Sequence, residues 1–555
     1  MKAQGDAEPG TKLSHSRGAW IAFVFVTAIY AVAILLLPDP DIPLNDDWMY
    51  ARTVRVGLET GRMTSTGYQS PWGIPHFVLG TALSFVAGFS HAHLRWLSVA
   101  SVPVILLFLT LALDRTGATF RGSLLLLSSV AFFAPFFLLS FSFMTDIVFL
   151  MFWTGTLYFW EKGHAEAGKS PVYLGSVCCA LAILQRQTGV ALVLANLAVL
   201  CCLPAWRRPE RRSLRRHFAG VSVALLALAA ATTVWWNQIP IQEGSEKPRV
   251  LVHFSAAPGS ILTHLFLTLP YVGWFFLPVL AARVSVERIR RIAAHVRKRS
   301  PLWKAGAALW IGLPLSIAYV LGRDGLFMPY LGNVISQWGT FRPNQISIGE
   351  RPLLFDGWLT GWTWTLVLLA AGIAGVTALT RLALSGVRTV LQSPERSGHV
   401  PGLLSATAGL GYYSALLPLV PFFDRYLLPL LLSLAMVYAF HESAVPAKRV
   451  LLPLACVICL AAMAWTLTRD NLAWSEARWR AAEWALGTGT PAAKIDGGYE
   501  WLGWRTFLLR SLNTPRSFRL SVSTSPLPGY TLLRTESYYS FWPPHERAVY
   551  VLEKR

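Results

Sequence analysis

The sequence predicts a polytopic α-helical membrane protein with about thirteen transmembrane helices, interfacial helices in the first outer loop and a small α+β C-terminal domain. Three observations predict it. Hydrophobic residues make up 54% of the 555-residue chain and charged residues only 14%, which is less charge than soluble proteins of this size carry. Apolar runs of about 18 to 23 residues recur along the chain. Basic residues cluster at the ends of these runs, where they act as topology signals.

The net charge of +20 does not indicate a nucleic-acid-binding protein, because the arginines flank apolar runs instead of forming one basic face. All six cysteines lie inside apolar segments and are interpreted as small buried hydrophobes. Neither a disulfide framework nor a cysteine metal site is therefore expected.

The chain begins with a polar segment, residues 1–18, which carries Lys2, Lys12 and Arg17. The positive-inside rule places it in the cytoplasm. No small-residue cleavage site follows the first apolar run, so a retained signal anchor is expected. The transmembrane part is predicted to extend over 19–468, with the first outer loop at 38–93.

The remaining boundaries follow from apolar runs and alternating loop charge. The predicted spans are 19–37, 94–113, 123–139, 146–160, 172–184, 190–204, 218–236, 260–282, 302–321, 358–379, 403–420, 427–440 and 450–467. The short apolar run 74–89 follows Pro71 and Gly73 and contains Pro75, so it is interpreted as an interfacial or re-entrant helix.

With that assignment, the first outer loop and the start of the span at 146 lie on the same outer face. The most basic loops, at 207–216 and 288–299, lie inside. The tail, 469–555, is then an extracytoplasmic α+β domain, with helical spacing at its start and β-leaning pieces near its end. This topology predicts an integral protein of a bacterial-type plasma membrane.

Candidate site residues occur where the outer loops meet the spans. Asp46 and Asp47 are adjacent acids that repel each other, so they need a cation, a hydrogen-bond donor or open water. The pair is either an exposed interfacial charge or the polar centre of a site. Asp146 opens a later span and is either a helix N-cap, helped by Thr145, or a second acid of the same site.

Two arginines on the same face complement these acids. Arg186 interrupts an apolar stretch and Arg425 precedes a span. Each has a plain alternative, which is snorkelling for both and a local pair with Asp424 for Arg425. The functional interpretation is phosphate binding, because a guanidinium holds phosphate with two parallel hydrogen bonds. His76 could line the same cleft, although a lone histidine there is more often interfacial than catalytic.

These motifs resemble the GT-C superfamily of polytopic glycosyltransferases, especially the protein O-mannosyltransferases and lipid A aminoarabinose transferases. The matching features are the acidic pair Asp46-Asp47 with the trailing Tyr50, Asp146 at the start of a span, and Arg425-Tyr426 followed by Pro429. The sequence departs from the family in having Asp-Asp where Asp-Glu is more common. It also has residues 70–73 in place of a basic-Pro-Pro signature.

The resemblance implies inverting sugar transfer from a polyprenyl-phosphate donor to an extracytoplasmic lipid, glycan or protein acceptor. Asp46 would be the general base, Asp47 and Asp146 would organise the site, and Arg425 would hold the donor phosphate. Arg186 is assigned to the phosphate by topology alone. Tyr50, Tyr426 and His76 would line the substrate site. Some relatives need a divalent cation, Mg²⁺ or Mn²⁺, and some do not; Asp46 and Asp47 are the candidate ligands here.

Two other classes remain. A transporter or flippase of a lipid-linked or polar substrate predicts polar residues and broken helices near the bilayer midplane, whereas the charges here lie at the outer rim. If the chain is instead a membrane assembly subunit without chemistry, neutralising the acidic residues of the candidate site should cause no loss of function.

Overall fold

The fold is seen in a computed structural model of the chain. It describes residues 9–203, 206, 209–242, 253–254, 257–283, 290–291, 294, 297–336, 339–340, 358–392, 400–420, 422–441, 451–506, 518–541 and 544–555. Parts of the predicted basic loops, including 207–208, 284–289 and 442–449, lie outside these ranges, as does most of the outer loop at 323–355.

Helices dominate the described chain. They are α1 (Pro9–Leu35), α2 (Asp47–Thr60), α3 (Ile74–Ala87), α4 (His91–Arg115), α5 (Phe120–Ala131), α6 (Ala134–Ser140), α7 (Thr145–Glu166), α8 (Lys169–Gln185), α9 (Val190–Cys202), α10 (Arg212–Trp236), α11 (Pro258–Ala281), α12 (Pro301–Arg323), α13 (Trp358–Gln392), α14 (Leu403–Leu416), α15 (Leu428–His441), α16 (Leu451–Gly487) and α17 (Tyr499–Thr506).

Among the described residues, seven helices are long and apolar enough to cross a membrane: α1, α4, α10, α11, α12, α13 and α16. The pair α5 and α6, bent by 63°, makes an eighth candidate if it is one span. These helices make the chain an integral membrane protein.

The predicted count of thirteen spans is not confirmed. A helix lies at every predicted span, but α7, α8, α9, α14 and α15 fail the joint test of length and apolarity. The 14 residues of α14 and of α15 extend about 21 Å at 1.5 Å per residue, whereas a bilayer core is about 30 Å thick. The described residues thus give seven or eight candidates for full-length spans, and the count of thirteen stays a prediction.

The first outer loop contains two short helices, α2 and α3. The helix α3 begins at Ile74, where the interfacial helix was expected, and it has 14 residues. At its far end the side chains of Phe85 and Val86 are 85% and 86% exposed. Such apolar exposure at the outer rim fits a helix that lies in the membrane interface.

The buried centre of the bundle is built around α7. This helix packs on α4, α8 and α15, and nearly every side chain from Thr145 to Leu150 is inaccessible to solvent. The helices α11 and α13 approach so closely that Gly273 and Gly372 each lie against the backbone of the other helix. Small residues permit such an approach between membrane helices.

The last membrane helix continues into the C-terminal part. With 37 residues, α16 extends about 55 Å, so the expected domain boundary at 468/469 falls inside a helix. Before α16, two short strand pairs form, β1 (His253–Phe254) with β4 (Leu419–Val420) and β2 (Ile335–Ser336) with β3 (Gly339–Thr340). Beyond α16 lie α17 and the strands β5 (Ile495–Asp496), β6 (Leu520–Ser523), β7 (Tyr530–Phe541) and β8 (Pro544–Lys554).

These strands form one sheet in the order β5-β6-β8-β7. The pair β5 and β6 is parallel and the other pairs are antiparallel. The sheet packs on the C-terminal half of α16, where Trp474, Ala481 and Trp501 share a buried core with Val522 and Val551. The C-terminal sheet is therefore held to the membrane part by the helix that it packs on.

Candidate active site

Asp47 is a buried anchor of the first outer loop. One carboxylate oxygen accepts the backbone N–H of Leu44 at 2.6 Å and the other accepts that of Phe143 at 3.3 Å. The side chain is only 1% exposed. Asp47 therefore ties the start of α2 to the segment that leads into α7.

The buried environment of Asp47 reduces the expected charge repulsion between Asp46 and Asp47. Burial raises the pKa of Asp47 to about 8, although the charge of Arg95 and the two backbone donors oppose this. At neutral pH most of the Asp47 carboxyl is therefore neutral, and it does not share a negative charge with Asp46.

Asp46 lies directly before α2, and its side chain is 17% exposed. Its Oδ2 lies 3.3 Å from Nη1 of Arg425, and its Oδ1 accepts the hydroxyl of Tyr499 at 2.9 Å. The residue before it, Asn45, has a left-handed backbone with φ of 51°. The chain therefore turns sharply there and presents the two acids to different partners.

Asp146 and Arg186 form a buried ion pair. Asp146 lies in the first turn of α7, and Arg186 follows the last residue of α8. The N-cap of α7 is Met144 and not Asp146, so the plain N-cap interpretation does not apply. Within the described ranges its Oδ2 has no hydrogen-bond partner.

Arg425 lies between the two acids. It belongs to the 3₁₀ turn Asp424–Leu427, which leads into α15. Burial alone would lower the pKa of Arg425, but the carboxylates of Asp146 and Asp46 outweigh burial and raise it. The carboxylate of Asp424 accepts the backbone N–H of Arg425 at 2.8 Å, as well as those of Val334 and Ile335, so the local link between the two residues runs through the backbone.

The three expected lining residues lie around this cluster. Burial raises the pKa of Tyr50, and the charges of Arg186, Asp46, Arg425 and Asp146 all act on its hydroxyl. The ring of Tyr426 lies 5.8 Å from the guanidinium carbon of Arg425.

His76 has a structural environment. Its ring stacks on Phe143 with centroids 3.9 Å apart, and its Nε2 lies 3.1 Å from the Phe143 carbonyl oxygen. Burial lowers the pKa of His76 to about 4, so the ring is neutral at physiological pH. It supports Tyr50, whose ring it meets edge-on at 5.9 Å.

Gln185 joins the elements of the site and was not singled out from the sequence. Its side-chain oxygen accepts the backbone N–H of His76 at 3.1 Å, and its amide donates to the Thr145 carbonyl at 3.1 Å. Its own carbonyl accepts the N–H of Gly73. A buried amide next to Arg186 in an apolar stretch is the signal that could have identified it.

The acidic pair does not fit a shared metal ion. Both oxygens of Asp47 accept backbone N–H groups, and those of Asp46 face Arg425 and Tyr499. Across the described part of the chain, no cluster of three or more His, Cys, Asp or Glu side chains could hold a metal. We derive no metal step from this arrangement.

Residues 75–236 match the family model described as dolichyl-phosphate-mannose-protein mannosyltransferase. The resemblance to GT-C glycosyltransferases is confirmed over this segment. The segment contains Asp146, Gln185 and Arg186, and it follows Asp46 by fewer than 30 residues. A search of curated proteins finds no match.

Solved structures of similar proteins include ArnT from Cupriavidus metallidurans bound to undecaprenyl phosphate. It is 15% identical with a TM-score of 0.42, over 96% of this chain and 98% of that one. The archaeal oligosaccharyltransferase AglB from Archaeoglobus fulgidus, in complex with an inhibitory peptide and a dolichol-phosphate, is 13% identical with a TM-score of 0.41. That match covers 83% of this chain and 58% of that one.

The site combines two chemical capacities. Asp46 is a partly exposed carboxylate that can accept a proton, and Arg186 and Arg425 are two cations that can bind one anion. Both arginines are largely buried, with side chains 13% exposed, so their charges act more strongly than they would in water.

Proposed function

We propose that the chain is a membrane glycosyltransferase that moves a sugar from a polyprenyl-phosphate donor to an extracytoplasmic lipid, glycan or protein acceptor. The observation that carries this proposal is the cluster of the partly exposed Asp46 with the largely buried Asp146, Arg186 and Arg425, at the ends of helices in a GT-C-like chain. The donor class is supported by the family description, which names a dolichyl-phosphate sugar.

In the proposed reaction, Asp46 takes the proton from the acceptor hydroxyl or amine as that atom attacks the anomeric carbon. The bond from this carbon to the donor phosphate oxygen breaks, and its electron pair leaves with the phosphate. The configuration inverts because one displacement occurs from the opposite face. Asp146 holds Arg186 in place, and Asp47 holds the loop that carries Asp46.

The donor phosphate is proposed to bind Arg186 and Arg425. Each arginine now faces one aspartate, and Arg425 feels both acids. A phosphate placed between the arginines would share these cations with the acids and stabilise the leaving anion. The alternative, transport of a lipid-linked or polar substrate, has no comparable use for a partly exposed base at the rim.

We also propose that the N-terminus is cytoplasmic and that the acids, the arginines and the C-terminal domain are extracytoplasmic. The support is the positive-inside distribution of arginines. A polyprenyl carrier would then lie in the bilayer with its phosphate at the outer rim, where the arginines are.

The test is transfer of radiolabel from polyprenyl-phosphate sugars into the lipid, glycan and protein fractions of membranes that contain the full chain. Parallel samples contain Asp146→Asn and the surface control Asp324→Asn, and each is assayed with and without EDTA. We expect transfer that Asp146→Asn lowers strongly, Asp324→Asn leaves unchanged and EDTA does not abolish.

If the label crosses the membrane of sealed vesicles and no new glycosidic bond forms, the result would support the transporter alternative and overturn the proposal. Transfer by the Asp146→Asn sample at the native rate would also contradict it. Loss of transfer in EDTA, restored by Mg²⁺ or Mn²⁺, would contradict only the metal-free form of the reaction.

A further inference from the structure

The short helix α17 of the C-terminal domain is docked on the first outer loop. Gly503 packs so closely on Trp48 that an added Cβ would lie 2.5 Å from the indole ring. The next residue, Trp504, stacks on Phe89 with ring centroids 6.1 Å apart, and its carbonyl accepts a hydrogen bond from Nη1 of Arg52 at 2.8 Å. The helix is therefore fixed against α2 by aromatic packing and a charged hydrogen bond.

Glu500, near the start of α17, binds the backbone N–H of Asn45, the residue before the proposed base Asp46. Its Oε1 accepts the N–H of Asn45 at 3.2 Å, and its Oε2 lies 2.5 Å from Nη2 of Arg478 on α16. Both charged side chains are buried, at 8% exposed for Glu500 and 4% for Arg478. A paired and desolvated carboxylate of this kind holds its partner N–H firmly.

The neighbouring residue reaches the base itself. The hydroxyl of Tyr499 donates to Oδ1 of Asp46 at 2.9 Å. Desolvation and the charge of Asp46 raise the pKa of Tyr499, so its hydroxyl remains a donor throughout the physiological range. Tyr499 and Arg425 together hold both oxygens of the Asp46 carboxylate.

We infer that Tyr499 is a positioning residue for Asp46, so that the C-terminal domain completes the active site. This inference rests on the proposed function, in which Asp46 is the general base. Tyr499 fixes the plane of the carboxylate toward the acceptor and favours its charged form by donating to it. Its importance grows when a donor phosphate draws Arg425 away from Asp46, because the tyrosine is then the side chain that still holds the base.

The experiment compares Tyr499→Phe with native enzyme in the full chain, using a labelled polyprenyl-phosphate sugar as donor. We expect kcat to fall about 10- to 100-fold, the range of a lost hydrogen bond to a charged group. The KM for the donor should stay unchanged. The acid limb of the pH–rate profile should move to higher pH, because Asp46 loses a donor that favours its charged form. The control Tyr539→Phe changes an exposed tyrosine of the same domain.

A second variant tests the same inference without touching the hydroxyl. Gly503→Ala forces α17 away from Trp48, whereas an added Cβ at Gly487 meets no atom. We expect Gly503→Ala to shift the acid limb in the same direction as Tyr499→Phe, and Gly487→Ala to leave it in place.

The outcomes separate the two proposals. Native activity in Asp46→Asn would overturn the proposed function. Loss of activity in Asp46→Asn, with a native rate and pH profile in Tyr499→Phe and Gly503→Ala, would overturn the role of Tyr499 alone. A lower melting temperature in Tyr499→Phe with unchanged kcat and an unchanged acid limb would assign the tyrosine to stability and also contradict the inference.

Discussion

At the scale of residues, two adjacent acids have opposite environments. Asp47 is sealed among backbone donors, while Asp46 is partly exposed between a guanidinium and a phenol. The sequence predicts that the two acids need partners. Which acid points into the protein is decided by the residue at which α2 begins, Asp47.

The raised pKa of Asp47 predicts a pH-dependent stability. The folded state holds this proton up to about pH 8, whereas the ordinary value is 3.8. The folded state therefore binds the extra proton between these limits, and stability falls as pH rises through that window. Asp47→Asn should flatten the dependence of melting temperature on pH between 5 and 8 in detergent. The control Asp324→Asn, at an exposed position, should keep the native slope; equal slopes for Asp47→Asn and native protein would contradict the assignment.

The ion pair of Arg186 predicts an effect on the donor. Arg186→Gln removes one of two desolvated cations, so the KM for the polyprenyl-phosphate donor should rise about 10- to 100-fold. The matched control is Arg115→Gln, which breaks an ion pair whose arginine is 29% exposed and whose glutamate is 44% exposed; such pairs contribute little. Donor titration of initial rates measures both. A native KM in Arg186→Gln would remove this arginine from the donor site.

At the scale of elements, the site lies where several helix ends meet. The acids begin α2 and α7, and the arginines lie next to α8 and α15. The sequence placed these four residues on one face because span ends can be located from apolar runs. Gln185 was missed because a single buried amide carries no periodic signal, and its value depends on the three backbone groups that it meets.

The close crossing of α11 and α13 predicts that one added methyl group lowers the stability of the helix bundle. An added Cβ at Gly372 would overlap the Leu269 carbonyl, whereas one at Gly312 of α12 meets no atom. Gly372→Ala should destabilise the bundle by about 1–3 kcal/mol, as overpacking does, and Gly312→Ala should not. Thermal unfolding in detergent compares the two variants. Equal melting temperatures for the two variants would show that α11 and α13 can move apart without loss of stability, and would contradict the prediction.

At the scale of the whole molecule, the sequence predicts a helical membrane protein, and its count of thirteen spans is not confirmed. Apolar content and positive-inside charge identify a membrane protein, but they do not separate full spans from short buried helices such as α14 and α15. The docking of the C-terminal domain on the site was also invisible, because Tyr499 and Asp46 lie 453 residues apart. Residues that approach only in the folded chain leave no local pattern.

The proposed orientation predicts which face reacts with a membrane-impermeant maleimide. In a cysteine-free background, Leu532→Cys in the C-terminal sheet should be labelled in intact cells. Ser213→Cys at the start of α10 should be labelled only after permeabilisation. Both positions are exposed, so accessibility is set by the membrane. Labelling of Ser213→Cys in intact cells would contradict the proposed topology.

The central claim is that Asp46 accepts the proton during sugar transfer. The most direct measurement is single-turnover transfer by purified Asp46→Asn in lipid nanodiscs, with polyprenyl-phosphate binding measured in the same preparation. We predict binding within a few-fold of native and transfer slowed by about 10²- to 10⁴-fold, the range for general-base catalysis. Transfer at the native rate with native binding would contradict it.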